Sequence, residues 1–232
     1  MGIVKGDVVA TTTAPVDGRR SRWDAHRIAR REELIDAAVR SVKRHGPEAG
    51  MDQIAADART SKPVIYRYFA DKTDLYRAVT QRVVGTILAA LRAVTDRAPA
   101  PQELIRDSVD AYLALLEQSP QLYRFVVRHP HLEDGTTFSD AIAAMLADQL
   151  AASLRAGDLD PASAHPWGEG IVGFISAASL WWLDHPSAMS RTQLGEYLTA
   201  LLWGGAAGVQ SYAGHAADAR PAPGVFPRLD PT

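Results

Sequence analysis

The chain contains no cysteine. That excludes disulfides, thiolate metal sites and thiol nucleophiles together, and fits a reducing compartment, with the cytoplasm as the expected location. Long apolar runs are missing as well. The most apolar stretch, "IVGFISAASLWWL" at 171–183, falls short of the roughly 20 residues that a membrane-spanning helix requires. Residues 1–22 hold no apolar run of signal-peptide length, so neither export nor a membrane partner is expected. Alternating strand patterns, a glycine-rich phosphate loop, a nucleophile elbow, a paired His-Glu metal motif and a Ser-His-Asp frame are all absent. No catalysis and no cofactor are expected. His129 and His131 lie two apart without an acidic partner at ligand spacing, which reads as a loop rather than a metal site.

What is present is a chain of 232 residues, 47% hydrophobic and 22% charged, enough to build a sizeable core. Its net charge of −2 is unevenly spread: residues 19–82 hold fifteen Lys or Arg against nine Asp or Glu, and the rest holds ten against eighteen. A basic first third suits a polyanion partner, because clustered cations release counterions from phosphates; charge alone fits a solvated helix face equally well.

Apolar residues recur at helical spacing throughout, so the expected fold is all-α. Leu34, Ile35, Ala38, Val39 and Val42 mark a first helix from about Asp24 to Arg44, stopped by His45-Gly46-Pro47. "MDQIAADA" at 51–58 and "KPVIYRYF" at 62–69 read as two short helices, and a long one follows from Asp71 to about Arg97. The two short helices are too brief to stand alone in water and must pack on their neighbours, which is helix-turn-helix geometry. There the second helix enters a DNA major groove with its N-terminal residues at base edges. Thr60 or Ser61 caps that helix and Pro63 sits in its first turn, leaving Lys62, Val64, Arg67 and Tyr68 on the outer face. Asp71 and Asp74 bracket the next helix start and leave Lys72 beside it, where dipole and ammonium favour a phosphate.

The segment "GMDQIAADARTSKPVIYRYFADKTDLYRAV" at 50–79 resembles the DNA-binding segment of the tetracycline-repressor (TetR) family of bacterial transcription regulators, over about residues 28–80. The resemblance implies an N-terminal three-helix DNA-binding domain joined by a long helix to a helical ligand-binding and dimerisation bundle. It implies a homodimer, a double-stranded operator, and repression released by a small molecule. Carried over by position, Lys62, Pro63, Val64, Arg67 and Tyr68 approach bases, while Thr60, Ser61, Tyr66 and Lys72 hold phosphates. Two positions depart from the family pattern. Arg59 stands where a glycine usually takes positive φ, so the turn is altered or strained. Gly50 stands where a Ser or Thr hydroxyl usually caps the first short helix, so one phosphate contact is lost.

The expected organisation is a flexible basic arm at 1–23, the DNA-binding domain at 24–71, the effector and dimer domain at 72–213 and a disordered tail at 214–232. Arg19, Arg20, Arg22 and Trp23 either enter the adjacent minor groove or add only general attraction. Further helices are expected at 101–118, 120–128, 137–156, 165–184 and 190–213. Gly170, Gly173 and Ala177, and likewise Ala200, Gly204 and Gly208, form smooth rows at helical spacing. With Leu180, Leu198, Leu201 and Leu202 they make either a four-helix dimer interface, which the resemblance favours, or close packing within one subunit. Leu88, Leu91, Tyr112, Leu115, Leu116, Tyr123, Phe125, Val126, Phe174 and Trp181 or Trp182 are candidates to surround a hydrophobic effector, lipid-like or acyl, although core and pocket use the same residue types. Two other readings stay open: an activator of the same fold, and a helical interaction protein that does not bind DNA. A membrane-surface helix would need a wide apolar stripe opposite its cations, whereas Ile65 and Phe69 are committed to the core.

Overall fold

A computed structural model of the chain describes residues 18–97, 99–158 and 160–216, with side chains from Ala25 to Gly205 apart from 98 and 159. Its elements are α1 (Gly18–His45), α2 (Met51–Asp57), α3 (Lys62–Ile65), α4 (Lys72–Thr95), α5 (Pro101–Gln118), α6 (Pro120–Arg128), α7 (Phe138–Ala156), a 3₁₀ turn at Pro161–Ser163, α8 (Ala164–Asp184) and α9 (Arg191–Ala216). The all-helical expectation holds: among the described residues the one β feature is a single bridge between His131 and Thr137.

Local chemistry sets most of the boundaries. Gly46 takes φ +90° after α1, and its N–H returns to the Val42 carbonyl at 2.9 Å. Lys43, Arg44 and His45 fill the last turn of α1, where the helix dipole favours cations. Pro101 and Pro120 open α5 and α6 from the first turn, where no intrahelical donor is needed. Thr137 and Asp140 cap α7 reciprocally, at 3.2 and 2.9 Å. Helix α1 begins at Gly18 rather than Asp24, because nothing between Gly18 and His45 breaks a helix. Residues 18–23 of the expected arm are thus its first turns. The other arm residues, 1–17, and most of the expected tail, 217–232, lie outside the described residues, while 214–216 still belong to α9.

Leu34, Ala38 and Val42 of α1, Ile54 of α2, Ile65 and Phe69 around α3, and Leu75 and Val79 of α4 are all fully buried and form the N-terminal part of the core. Helix α5 packs on α9 and α7 on α8. The α7–α8 approach is close: a Cβ on Gly168 would lie 2.7 Å from the Ala143 carbonyl oxygen. The end of α6 is tied to the N-terminal helices. Arg128 pairs with Glu48, Thr80 donates to the His129 carbonyl at 2.8 Å, and Tyr76 packs on both Phe125 and His129 with centroids 5.0 and 4.7 Å away. Just beyond α6, Glu133 pairs with Arg31 of α1.

Candidate nucleic-acid interface

The two short helices are positioned by a turn whose backbone is unusual. Arg59 takes φ +50°, the left-handed conformation that the missing glycine would have adopted without steric cost. Thr60 then donates to the Ala55 carbonyl at 2.9 Å and closes the turn. Gly50 caps α2 without a side-chain bond, and the Gln53 side chain instead accepts from the Gly50 N–H at 2.8 Å. Ser61 is the N-cap of α3, but neither it nor Thr60 supplies the expected side-chain cap bond; the Ser61 carbonyl accepts from Val64 and Ile65 at 3.0 and 3.2 Å. The recognition helix is also shorter than expected. Regular α-helix covers Lys62–Ile65, and the following bonds, Arg67 N–H to Val64 and Tyr68 N–H to Ile65, are tighter three-residue steps. Two β-branched residues followed by Tyr-Arg-Tyr-Phe favour a helix weakly.

The outer face of this unit carries Ser61, Pro63, Tyr66, Arg67 and Lys72 as exposed residues, with Thr60, Lys62 and Val64 half-buried. Tyr68 differs from its expected place, since part of its ring packs against the core. The start of α4 is capped as expected: Asp71 accepts from the Asp74 N–H and Asp74 from the Ala70 N–H, both at 2.8 Å. Two carboxylates therefore occupy the positive end of that helix, which removes the dipole's share of the expected phosphate site and leaves the Lys72 ammonium. Lys72 lies back over the Tyr76 ring at 4.9 Å from its centroid. One residue that the sequence reading passed over belongs here: Asp52, in the first turn of α2, pairs with Lys62 at 2.7 Å. Its signal was a carboxylate one residue into the first short helix of a net-basic segment.

The pocket candidates divide. Leu91, Tyr112, Leu116, Tyr123, Phe125 and Trp182 are buried and Leu88 half-buried, all of them part of the core or packed on it. The Tyr112 hydroxyl donates to that of Tyr123 at 3.1 Å, and Tyr123 reaches the Ser176 carbonyl at 3.4 Å. Burial pushes both phenols above their ordinary range, Tyr112 the further because Tyr123 adds to it. Phe125 faces Tyr76 and His129, so it is part of the junction with the N-terminal helices. Phe174 and Trp181 do not face the interior: they are 43% and 48% exposed on the outer side of α8. Two open clefts on the surface, of about 540 and 610 Å³, are both walled by α1 and lined by none of these candidates.

Most of the dimer candidates are exposed on α8 and α9. Gly170, Gly173, Ala177, Ala200, Leu201 and Gly204 are exposed and Leu180 is half-buried. Among the described residues, a Cβ on Gly170, Gly173 or Gly204 would meet nothing within 4 Å, so these glycines serve no close packing there. Leu198 is a correction: it is 2% exposed and part of the core on the opposite side of α9. Tyr197 and Trp203, which the sequence reading omitted, are exposed on the same helix. Gly208 lies in α9 beyond the residues whose surroundings are described.

Comparison with known proteins gives this architecture a lineage. Residues 34–79 match the model of the bacterial regulatory proteins of the tetR family, and 86–218 match the tetracyclin repressor-like C-terminal domain. An uncharacterised HTH-type transcriptional regulator of Mycobacterium tuberculosis is 36% identical over 209 residues, which is 87% of each chain. The HTH-type transcriptional activator FasR of Mycolicibacterium smegmatis is 27% identical over 82% of this chain and 89% of its own. The structure of the regulator FadR from Bacillus subtilis, solved in complex with stearoyl-CoA, superposes with a TM-score of 0.59 at 18% identity, covering 74% of this chain and 96% of that one. With a basic helix-turn-helix unit leading into a matching helical bundle, the chain belongs to the TetR family of transcriptional regulators, and it is a DNA-binding regulator.

Proposed function

We propose that two copies of the chain grip a palindromic operator in the cytoplasm, each α3 entering a major groove, with half-sites about one helical turn or somewhat more apart. The observation that carries this is the shared face of exposed Ser61, Tyr66, Arg67 and Lys72 with half-buried Lys62. Lys62, Pro63, Val64 and Arg67 address bases there, with the free edge of Tyr68; Thr60, Ser61, Tyr66 and Lys72 address phosphates. The second copy docks through α8 and α9, where Phe174, Trp181, Tyr197, Leu201 and Trp203 stand exposed beside open glycines. Large apolar side chains exposed in such number suit an interface between subunits.

Release follows from a small hydrophobic effector, lipid-like or acyl, that enters the bundle around Leu91, Tyr112, Leu116 and Tyr123. Those side chains are packed as core, so the effector selects an opened conformation and changes DNA binding only by preferring it. A regulator solved with stearoyl-CoA and sharing the fold supports the acyl class. Repression is the favoured outcome at the promoter, and activation from the same operator is the second, because the relative FasR is an activator.

Selection of duplexes from a random pool by the purified protein tests the DNA face. Lys62→Ala or Arg67→Ala costs about 1–3 kcal/mol on the selected site and relaxes its base preference. Tyr66→Phe or Lys72→Ala weakens every duplex alike, and Lys72→Ala lowers the salt slope by about one. Equal losses on selected and random DNA for all four variants contradict the division of roles.

A further inference from the structure

Asp52 is a carboxylate on a surface that binds a polyanion. It sits one residue into α2, 2.7 Å from the Lys62 ammonium at the first position of α3, and its side chain is 83% exposed. A solvent-exposed ion pair contributes little to folding, and a negative charge beside Lys62 weakens attraction to any phosphate. The pair therefore lowers affinity for DNA in general unless the carboxylate finds a donor on the DNA itself. Base edges in the major groove supply such donors: cytosine offers its N4 amine, while guanine offers O6 and N7 as acceptors. Lys62 carries three donors and spends one on Asp52, leaving two. Two adjacent acceptors followed by a donor, guanine N7, guanine O6 and cytosine N4, match the two remaining Lys62 donors and the Asp52 carboxylate, whereas in an adenine–thymine pair the adenine N6 donor separates the two acceptors.

We propose that Asp52 is a specificity-determining residue, reading a guanine–cytosine pair jointly with Lys62: the lysine on guanine O6 or N7, the carboxylate on cytosine N4. This rests on the placement of α3 in the major groove. Asp52 also holds Lys62 away from the phosphates, so the pair exchanges general affinity for selectivity at one position of each half-site.

The test is a random-duplex selection with the full-length protein and its Asp52→Asn, Asp52→Ala, Lys62→Ala and Asp52→Ala/Lys62→Ala variants, folding being checked for each by helical circular dichroism. Asp52→Ala should reduce the guanine–cytosine preference at one position per half-site by about tenfold, and Asp52→Asn, whose amide oxygen still accepts, should reduce it by less. They should also bind random DNA more tightly, with a salt slope steeper by about one as Lys62 turns to a phosphate. Lys62→Ala leaves the carboxylate facing the groove alone, so the double variant should bind random DNA more tightly than Lys62→Ala. A motif copied unchanged by Asp52→Ala overturns the proposal, even if the salt slope rises, because Asp52 then acts as charge only. Additive losses of the guanine–cytosine preference in the double variant overturn it as well. A wild-type protein that selects no motif sinks the groove placement itself, whereas a wild-type motif indifferent to Asp52 sinks only this inference.

Discussion

Arg59 shows what a single backbone angle asks of a side chain. At φ +50° its Cβ crowds the following carbonyl, a strain of order 1–2 kcal/mol that glycine avoids and a β-branched residue aggravates. Arg59→Gly relieves the strain but gives the unfolded chain more freedom, so stability should change by less than about 1 kcal/mol. Arg59→Val should lose about 1–2 kcal/mol more than Arg59→Gly in urea denaturation. Equal midpoints for the two would show that the turn tolerates any residue. This feature was legible through the family resemblance, in which a glycine usually takes the left-handed φ at the position Arg59 occupies. Asp52 was not legible in the same way. Its partner lies ten residues along the chain, across a turn, and only the packing of α2 against α3 brings the two side chains together.

At the scale of helices, boundaries were readable wherever a residue changes backbone hydrogen bonding. Pro101, Pro120, Thr137 and Asp71 all mark observed starts, because each supplies or removes a specific donor or acceptor in the first turn. The start of α1 was misplaced because Arg-rich sequence is compatible with both helix and coil, and the recognition helix came out shorter because a helical pattern does not distinguish α from 3₁₀ steps. Glycine roles were the least readable. Gly168, Gly170 and Gly173 all lie on α8, yet Gly168 meets α7 while the other two face open space. The direction of each is set by how α8 is rotated against α7, which one chain's apolar pattern leaves open. Gly168→Ala should therefore cost about 1–3 kcal/mol through its clash with backbone, and Gly173→Ala should leave the isolated subunit unchanged or slightly more stable. Thermal unfolding of both at subunit dilution measures the contrast, and similar losses would contradict the assigned rotation of α8.

Across the whole molecule, the helix-turn-helix unit is held to the bundle by Arg31–Glu133, Arg128–Glu48 and the Tyr76–Phe125–His129 cluster. Burial lowers the His129 pKa below its ordinary 6.5, and the nearby Lys72 and Arg128 charges lower it further. The folded chain therefore takes up the His129 proton later than the unfolded chain as pH falls. Its contribution is present above 6.5 and lost as pH falls through the depressed folded pKa. Wild-type protein should lose stability as pH falls below about 6.5, and His129→Gln should flatten that segment of the curve; parallel curves would remove His129 from the junction's pH response. Helices α8 and α9 carry the proposed assembly surface. Leu201 is 62% exposed in the single chain, so a charge placed there costs the subunit fold little. In the proposed dimer the same charge is buried at a two-fold axis, opposite or near its own copy, where an unpaired charge is strongly unfavourable. Leu201→Arg should thus keep the helical content and melting behaviour of a folded subunit while sedimenting as a monomer. A monomer holds one half-site only, so binding to the palindrome should weaken far more than binding to an isolated half-site, because the second contact no longer acts at high effective concentration. A Leu201→Arg protein that stays dimeric and binds the palindrome as tightly as wild type would move the assembly surface off α8 and α9.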